Sequence, residues 1–535
     1  MRLRNSLIFS GLALALLGGY FVAKSADTKL PKKKRDVADQ NVRVRKATNW
    51  VDPAANYKTE ERTEAFRSDD EAMEQGALVG QRALTFKDKE SMEEFLKRAS
   101  GHGLLVMGRI DALFTLRIGF LNYQNLQDAL DGSEELSMIF PVTYPEDGAV
   151  AAQAGAVPFG AQLLSWLGIN TDNSNWGAGV KIAILDTGVS QHPSFATQVI
   201  PTAFGDQPAI AGDVNGHGTA VASMIAGTDS RIPGVAPAAT ILSVAIADAN
   251  GSSDSYTLAQ GIIAAVDAGV NLINISMGST GDSGVVRNAV AYAEQMGVLI
   301  VAAAGNNGSD SLSYPSANDG VISVGAVDAN ESHLAFSNSG DTLALSAPGY
   351  GINAAWTDGK AMSVSGTSFS SPIVTGLIAA TMTSGTTAMT ATQAYQTLIA
   401  NVNEAGAPGY DAQIGAGIPN MGRVLNAGTP GIYDAAVASN WISSSANGTP
   451  QLQVTIQNRG TETLINTGLS VTSVGAPTNY TVTTLAPGAI QTFNLPIYGS
   501  TGTLRVDSTV NLSGGVTDVN RGNDRRLETL SVQSN

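Results

Sequence analysis

Between Val180 and Ala347 the chain returns six times to a short, nearly continuous apolar run: VKIAIL, TILSVAI, NLINIS, VLIVAAA, VISVGA and LALSA. None alternates polar with apolar residues, so none can keep one face in water. Runs of this kind suit parallel strands covered on both faces. Helical spacing fills the gaps between them, roughly over 255–268 and 284–296. The middle of the chain is therefore expected to be α/β, a parallel sheet with helices on both faces. In such sheets reactive side chains gather at the carboxyl ends of the strands, where loops meet helix N-termini.

Three islands stand at such places. LDTGV carries Asp186 at the end of the first run. NGHGTAVAS carries His217 between two glycines, opening a helix over 219–226. SGTSFSSP carries Ser368 at the start of another helix, with Pro372 tolerated in its first turn. Each residue alone has an ordinary reading. An Asp after a strand makes a turn, a serine at a helix start makes an N-cap, as Ser370 is expected to do, and a lone histidine is more often structural. Together they are an acid, a base and a nucleophile, the set that acyl transfer by serine requires. The α/β-hydrolases run Ser, acid, His and the chymotrypsin type His, Asp, Ser, whereas this chain runs Asp, His, Ser. GTSFS also fails the G-x-S-x-G pattern at Ser370.

On these motifs, from about Val157 to Gly428, the chain resembles the subtilisin-like serine peptidases, or subtilases. The resemblance implies that Asp186, His217 and Ser368 form the catalytic triad. It implies that Asn306, in VAAAGNNG, is the side-chain donor to the oxyanion, with Asn307 as its rival, beside the backbone N–H of Ser368. Polypeptide substrates are expected to bind as an added β-strand. Ser252, Ser253 and Asp254 would form one edge, and Ser276, Met277 and Gly278 the wall opposite. Ala303, Ala304 and Gly305 would make the second wall of the S1 pocket, with Ser313 near its floor. Two departures stand out. Ala220 replaces a histidine often found after HGT, outside the triad. Ser194, in HPSF, stands where the family's strong calcium site takes a carboxylate, and the loop Gly227–Gly234 is short for it. Without hard oxygen ligands Ca²⁺ has little to hold it, so no metal is expected there and no cofactor anywhere. Calcium elsewhere has no assignable ligands. The acid-active serine-carboxyl peptidases share G-T-S but place Glu where His217 stands.

At 535 residues the chain exceeds one core. Arg2 and Arg4 precede an apolar stretch, Leu7 to Ala23, laid out as a secretory signal over residues 1–25, either cleaved or retained as a membrane anchor. The basic Lys32–Arg35 is a solvated flank, and 26–75, ending in an acidic run, is a linker. Residues 76–145 follow the split βαβ pattern of a ferredoxin-like α+β domain. Directly before a subtilase region, this resembles the family's propeptide, an intramolecular inhibitor. Its last strand alternates Leu136, Met138, Phe140 and Val142. Residues 146–156, small and aperiodic, form a processing linker before the peptidase at 157–428. From 430 to 535 alternating segments separated by turns suggest an Ig-like β-sandwich, with a loose likeness to bacterial CARDB-type adhesion modules. A net charge of −15 excludes a general nucleic-acid binder, and the absence of cysteine excludes disulfides, thiol catalysis and Cys-based zinc. The expected function is a secreted serine endopeptidase made as a self-processed precursor. The alternative is a subtilase-fold protein whose main role is binding or adhesion through the sandwich.

Overall fold

The computed structural model describes residues 69–144, 155–196, 199–213, 215–385, 387–444, 449–497 and 502–532. The expected signal, the basic flank, most of the linker and most of the processing segment lie outside them. Among the described residues no helix is long and apolar enough to cross a membrane. The acidic end of the expected linker contains a short helix, Asp69–Glu74.

The first layered region is an antiparallel sheet of four strands in the order Leu105–Ile110, Thr115–Gly119, Gln81–Thr85, Glu135–Ser137. Helices Lys89–Ala99 and Tyr123–Ala129 cover one face, burying Met92, Phe95 and Leu126 against Leu84, Leu116 and Ile118. This is the ferredoxin-like arrangement that the strand–helix–strand–strand–helix–strand pattern suggests. Ala83 and Ile110 instead join a core with Tyr256, Ile262 and Val285, so the opposite face packs on the helices of the next region.

One expectation fails instructively. The alternating run from Leu136 to Val142 is two strands, not one. Glu135–Ser137 pairs with Gln81–Thr85, whereas Pro141–Thr143 leaves the sheet and pairs antiparallel with Ser252–Asp254. Period-two alternation reports a half-buried strand but not which partner supplies the ladder.

The central region is a seven-stranded sheet in the order Leu345–Pro348, Val321–Val327, Leu299–Ala303, Leu272–Ile275, Lys181–Asp186, Thr240–Ala245, Val199–Pro201, with every neighbouring pair parallel. Each face is covered, as the unbroken apolar runs require. Strand Lys181–Asp186 sends Ile182 and Ile184 into a core with helices His217–Ala226 and Thr367–Ser384. It sends Ala183 and Leu185 into another with helices Ser255–Asp267 and Gly284–Gln295. Asp186, Ser276 and Asn306 therefore emerge from, or just beyond, the carboxyl ends of three adjacent strands.

After helix Met421–Asn426 every regular element among the described residues is a β-strand. Three strands, Ala435–Ser444, Pro450–Asn458 and Ile490–Pro496, form one sheet. Four strands, Thr478–Leu485, Leu464–Thr472, Gly502–Asn511 and Arg525–Val532, form another. Both bury one core, including Leu452, Val454, Leu469 and Val506. The strand Ala435–Ser444 is missing from the sequence reading, because AAVASNWISS lacks a clean two-residue alternation.

Glu404 ties this sandwich to the central region. Its carboxylate accepts from the Gly409 amide at 2.7 Å, its own amide donates to Gln457 Oε1 at 3.0 Å, and its carbonyl accepts from Arg459. Burial pushes its carboxyl up from 4.5 to about 7. Between those values the folded protein holds a proton that the unfolded chain has released. Stability is then full below the lower value and falls as pH rises through the upper one. The loss amounts to roughly 3 kcal/mol at most. Denaturant titrations from pH 4 to 8 should show Glu404→Gln losing less stability over this window than the parent protein.

Candidate active site

Asp186 ends its strand fully buried. An ionised carboxylate in such a place must find donors. The Thr187 amide supplies one at 2.8 Å, and His217 Nδ1 lies 2.8 Å from Oδ1 and 3.0 Å from Oδ2. Since the carboxylate only accepts, Nδ1 carries the hydrogen, and Nε2 presents its lone pair on the other side of the ring. His217 opens its helix, and close approach of that helix to the strand end requires Gly218. A Cβ there would fall 2.0 Å from the Gly188 carbonyl oxygen and 3.2 Å from Asp186 Cβ.

A second buried carboxylate, absent from the sequence reading, builds this corner. Asp213 accepts from the hydroxyls of Thr187 and Thr219 and from the amides of Asn215, Gly216 and Thr219. It thus satisfies the first turn of the His217 helix with negative charge at its positive end. The Thr187 hydroxyl also lies 3.2 Å from Asp186 Oδ1, so the two acids share a bridging residue. The only sequence signal was an acid shortly before the HGT motif.

Ser368 sits in the first turn of helix Thr367–Ser384. Its Oγ donates to the carbonyl of Ser276 at 3.1 Å, and the Ser276 hydroxyl donates back to the Ser368 carbonyl at 2.7 Å. Buried Asn274 supports the pair. Its Nδ2 donates to Ser276 Oγ at 2.9 Å, and its Oδ1 accepts from Ser371 and Thr375. The helix start is thereby pinned to the end of strand Leu272–Ile275. The next residue, Phe369, brings its ring 5.5 Å from that of His217. Ser370 is not the N-cap that the sequence suggests. It lies inside the helix, and its hydroxyl donates to the carbonyls of Ala347 and Pro348.

Asn306 lies beside this turn. Its Oδ1 accepts from both the amide of Thr367, at 2.9 Å, and the Thr367 hydroxyl, at 2.7 Å. An amide oxygen so engaged fixes the flip and leaves Nδ2 as the outward donor, on the side of Gly366. Asn307 instead donates its backbone N–H to Asn338. Asn306, which the resemblance favours over Asn307, is thus the one whose side chain is held against the Thr367 turn. Thr367, though inside the GTS motif, gives no sequence sign of this anchoring role.

The expected binding segments converge. Ser252, Ser253 and Asp254 pair with Thr143, Val142 and Pro141, and Gly278 exchanges hydrogen bonds with Thr143 at 3.0 and 2.8 Å. Strand Pro141–Thr143 therefore lies between these two segments, paired to both. Arg117, on strand Thr115–Gly119, meets Asp254 at 2.9 Å. Tyr144 then lays its ring on His217, with centroids 4.6 Å apart and planes at 15°. Behind the cleft, a Cβ on Gly278 or Gly305 would meet Ser313 at 2.9 or 2.5 Å, so these walls and Ser313 are contiguous. Met277, Ala303 and Ala304 are buried. The Ser194 hydroxyl is 2.7 Å from His192 Nδ1, and its carbonyl holds Thr228. The described residues contain no group of three or more His, Cys, Asp or Glu that could hold a metal.

A model of the subtilase family matches residues 177–417. The thermostable alkaline protease of Halalkalibacterium halodurans is 37% identical over 240 residues, 44% of this chain and 65% of that protein. M-protease of Shouchella clausii is 36% identical over 254 residues, 47% of this chain and again 65% of the relative. Subtilisin Savinase of Lederbergia lenta is 38% identical over 205 residues, 38% of this chain and 76% of the relative. The chain thus spans just under two thirds of the first two relatives and more of the third.

Replacing Asp213 by Asn removes the charge that this corner is built around. In a Ser368→Ala background, thermal denaturation should show Asp213→Asn destabilised by roughly 2–3 kcal/mol.

Proposed function

This chain belongs to the subtilase family, and on that premise we propose that it is a serine endopeptidase, secreted, made as a precursor and processed by itself. The observation that carries the reading is the buried pair of Asp186 and His217, 2.8 Å apart, beside the turn that bears Ser368. The names of the relatives, an alkaline protease, an M-protease and a subtilisin, support the same activity.

Ser368 Oγ attacks the scissile carbonyl carbon as its proton passes to His217 Nε2. The hydroxyl, which in the structure donates to the Ser276 carbonyl, turns from it to the imidazole. Asp186 holds the Nδ1 hydrogen and stabilises the imidazolium that forms. The backbone N–H of Ser368 and Asn306 Nδ2 receive the negative oxygen, and Thr367 keeps that amide turned the right way. Collapse of the intermediate expels the amine, which leaves with the proton from Nε2. Water, deprotonated by the same base, then hydrolyses the acyl-enzyme. Because His217 must be neutral to begin, activity should fall on acidification.

Residues 76–145 act as the intramolecular inhibitor, supported by the strand Pro141–Thr143 in the cleft and the Tyr144 ring over the base. The export signal, the cut within 146–156 and the peptide-binding roles of Ser252 to Asp254, Ser276 to Gly278, Ala303 to Gly305 and Ser313 belong to the same reading.

Fluorophosphonate should label the purified protein at Ser368 at neutral pH. An intact protein that stays unlabelled, while a known serine protease labels alongside it, would end the enzymatic reading. Ser368→Ala should accumulate as a full-length precursor, visible as an untrimmed mass. Asn306→Ala should lower kcat by about 10²–10³, a range established on a subtilisin and carried over here. Thr367→Val, which loses one of the two hydrogen bonds to Asn306, should cost less.

A further inference from the structure

We propose that the cleft selects substrates with an aromatic residue, tyrosine above all, at P2, immediately before the residue whose carbonyl is attacked, and that Asn215 and Gly251 set this choice. The proposal rests on the proteolytic reading above and deepens it.

Tyr144 shows the slot filled. Its ring lies flat on the imidazole of His217. Its hydroxyl accepts from Asn215 Nδ2 at 2.9 Å. The other bonds of that amide keep it in place, since Nδ2 also donates to the Ala249 carbonyl at 3.1 Å and Oδ1 accepts from the His217 amide at 3.1 Å. The backbone N–H of Tyr144 reaches the Gly251 carbonyl at 3.4 Å. Gly251, at φ +72°, leaves the side wall bare. A Cβ there would fall 1.6 Å from Tyr144 Cε1 and 2.0 Å from Cδ1. The slot has an imidazole floor, a glycine wall and an amide donor at its far end. Alanine would leave it empty, phenylalanine would leave the donor without the phenol oxygen, and an aliphatic side chain has no flat face for the ring.

The register places the slot relative to the bond that breaks. Thr143 faces Gly278 in an antiparallel bridge. Continued along an extended substrate, the same pairing puts the residue two further on opposite Ser276. Ser276 is the residue that exchanges hydrogen bonds with Ser368. The carbonyl offered to Ser368 therefore belongs to the residue after the one in the slot, P1 to its P2.

The slot also distinguishes transition state from ground state. His217 becomes a cation as it takes the Ser368 proton. A ring 4.6 Å away lies within the roughly 6 Å reach of cation–π attraction. The attraction is stronger for imidazolium than for imidazole, so the gain belongs in kcat rather than in KM. The residue that seals the base in the intact chain is thus the residue a good substrate would place there.

The test uses active protein obtained from the full chain, with working sites counted by fluorophosphonate. Peptide nitroanilides Val-Thr-X-Leu, with X as Tyr, Phe, Leu or Ala, vary only the slot residue. We expect kcat/KM for Tyr to exceed that for Ala by about tenfold, mostly through kcat, with Phe between them. In Asn215→Ala the Tyr and Phe substrates should become equal. In Gly251→Ala the Tyr advantage over Ala should vanish. Each comparison is a ratio within one variant, so a general loss of activity or of folded protein cancels. Protein that labels fully yet cleaves the Ala peptide as well as the Tyr peptide overturns the proposal and leaves the protease standing. Protein that neither labels nor cleaves any of the series overturns both.

Discussion

The buried carboxylate of Asp186 is the constraint around which the site is organised. A charge with no access to water has to be answered by donors at short range, and the answers come from different parts of the chain: the following amide and the imidazole of His217. Holding the imidazole there demands a helix start pressed against the strand end, which Gly218 permits and Asp213 makes electrostatically tolerable. The parallel sheet sets the rest. Adjacent strands end level with one another, so Ser276 comes level with Asp186, and Asn306 follows three residues beyond the end of the next strand.

Ser368 is held by a different logic. Ser368 stands at a helix start whose position depends on Asn274, a polar side chain buried beneath it and fully engaged with Ser276, Ser371 and Thr375. Buried polar groups of this kind add little net stability when satisfied and cost much when broken. They suit a place where a hydroxyl must be held by its surroundings before it reacts. Thr367 does the same for Asn306 with two hydrogen bonds to one oxygen.

Much of this was legible in the sequence because periodicity and motif are local properties. The unbroken apolar runs announced a sheet covered on both sides, and GHGT and GTS marked the two helix starts. What escaped was non-local. Leu136 to Val142 alternates as one strand, yet Met138 to Phe140 carry the chain from one sheet to another edge, and alternation names no partner. Asp213, Asn274 and Tyr144 have no spacing that announces them. Their roles come from distant neighbours: Thr187 lies 26 residues from Asp213, Asn215 lies 71 from Tyr144, and Thr375 lies 101 from Asn274.

The amino-acid order by itself determined the fold class, the order Asp186, His217, Ser368, and the placing of each at a strand end or helix start. Those depend on side-chain period and on the few residues around each motif. Only the folded chain decided that Thr367 holds the Asn306 side chain, that Pro141–Thr143 pairs with Ser252–Asp254, and that a tyrosine covers the histidine. These are matters of packing between segments far apart in sequence, where contact energies depend on tenths of an ångström that no one-dimensional pattern records.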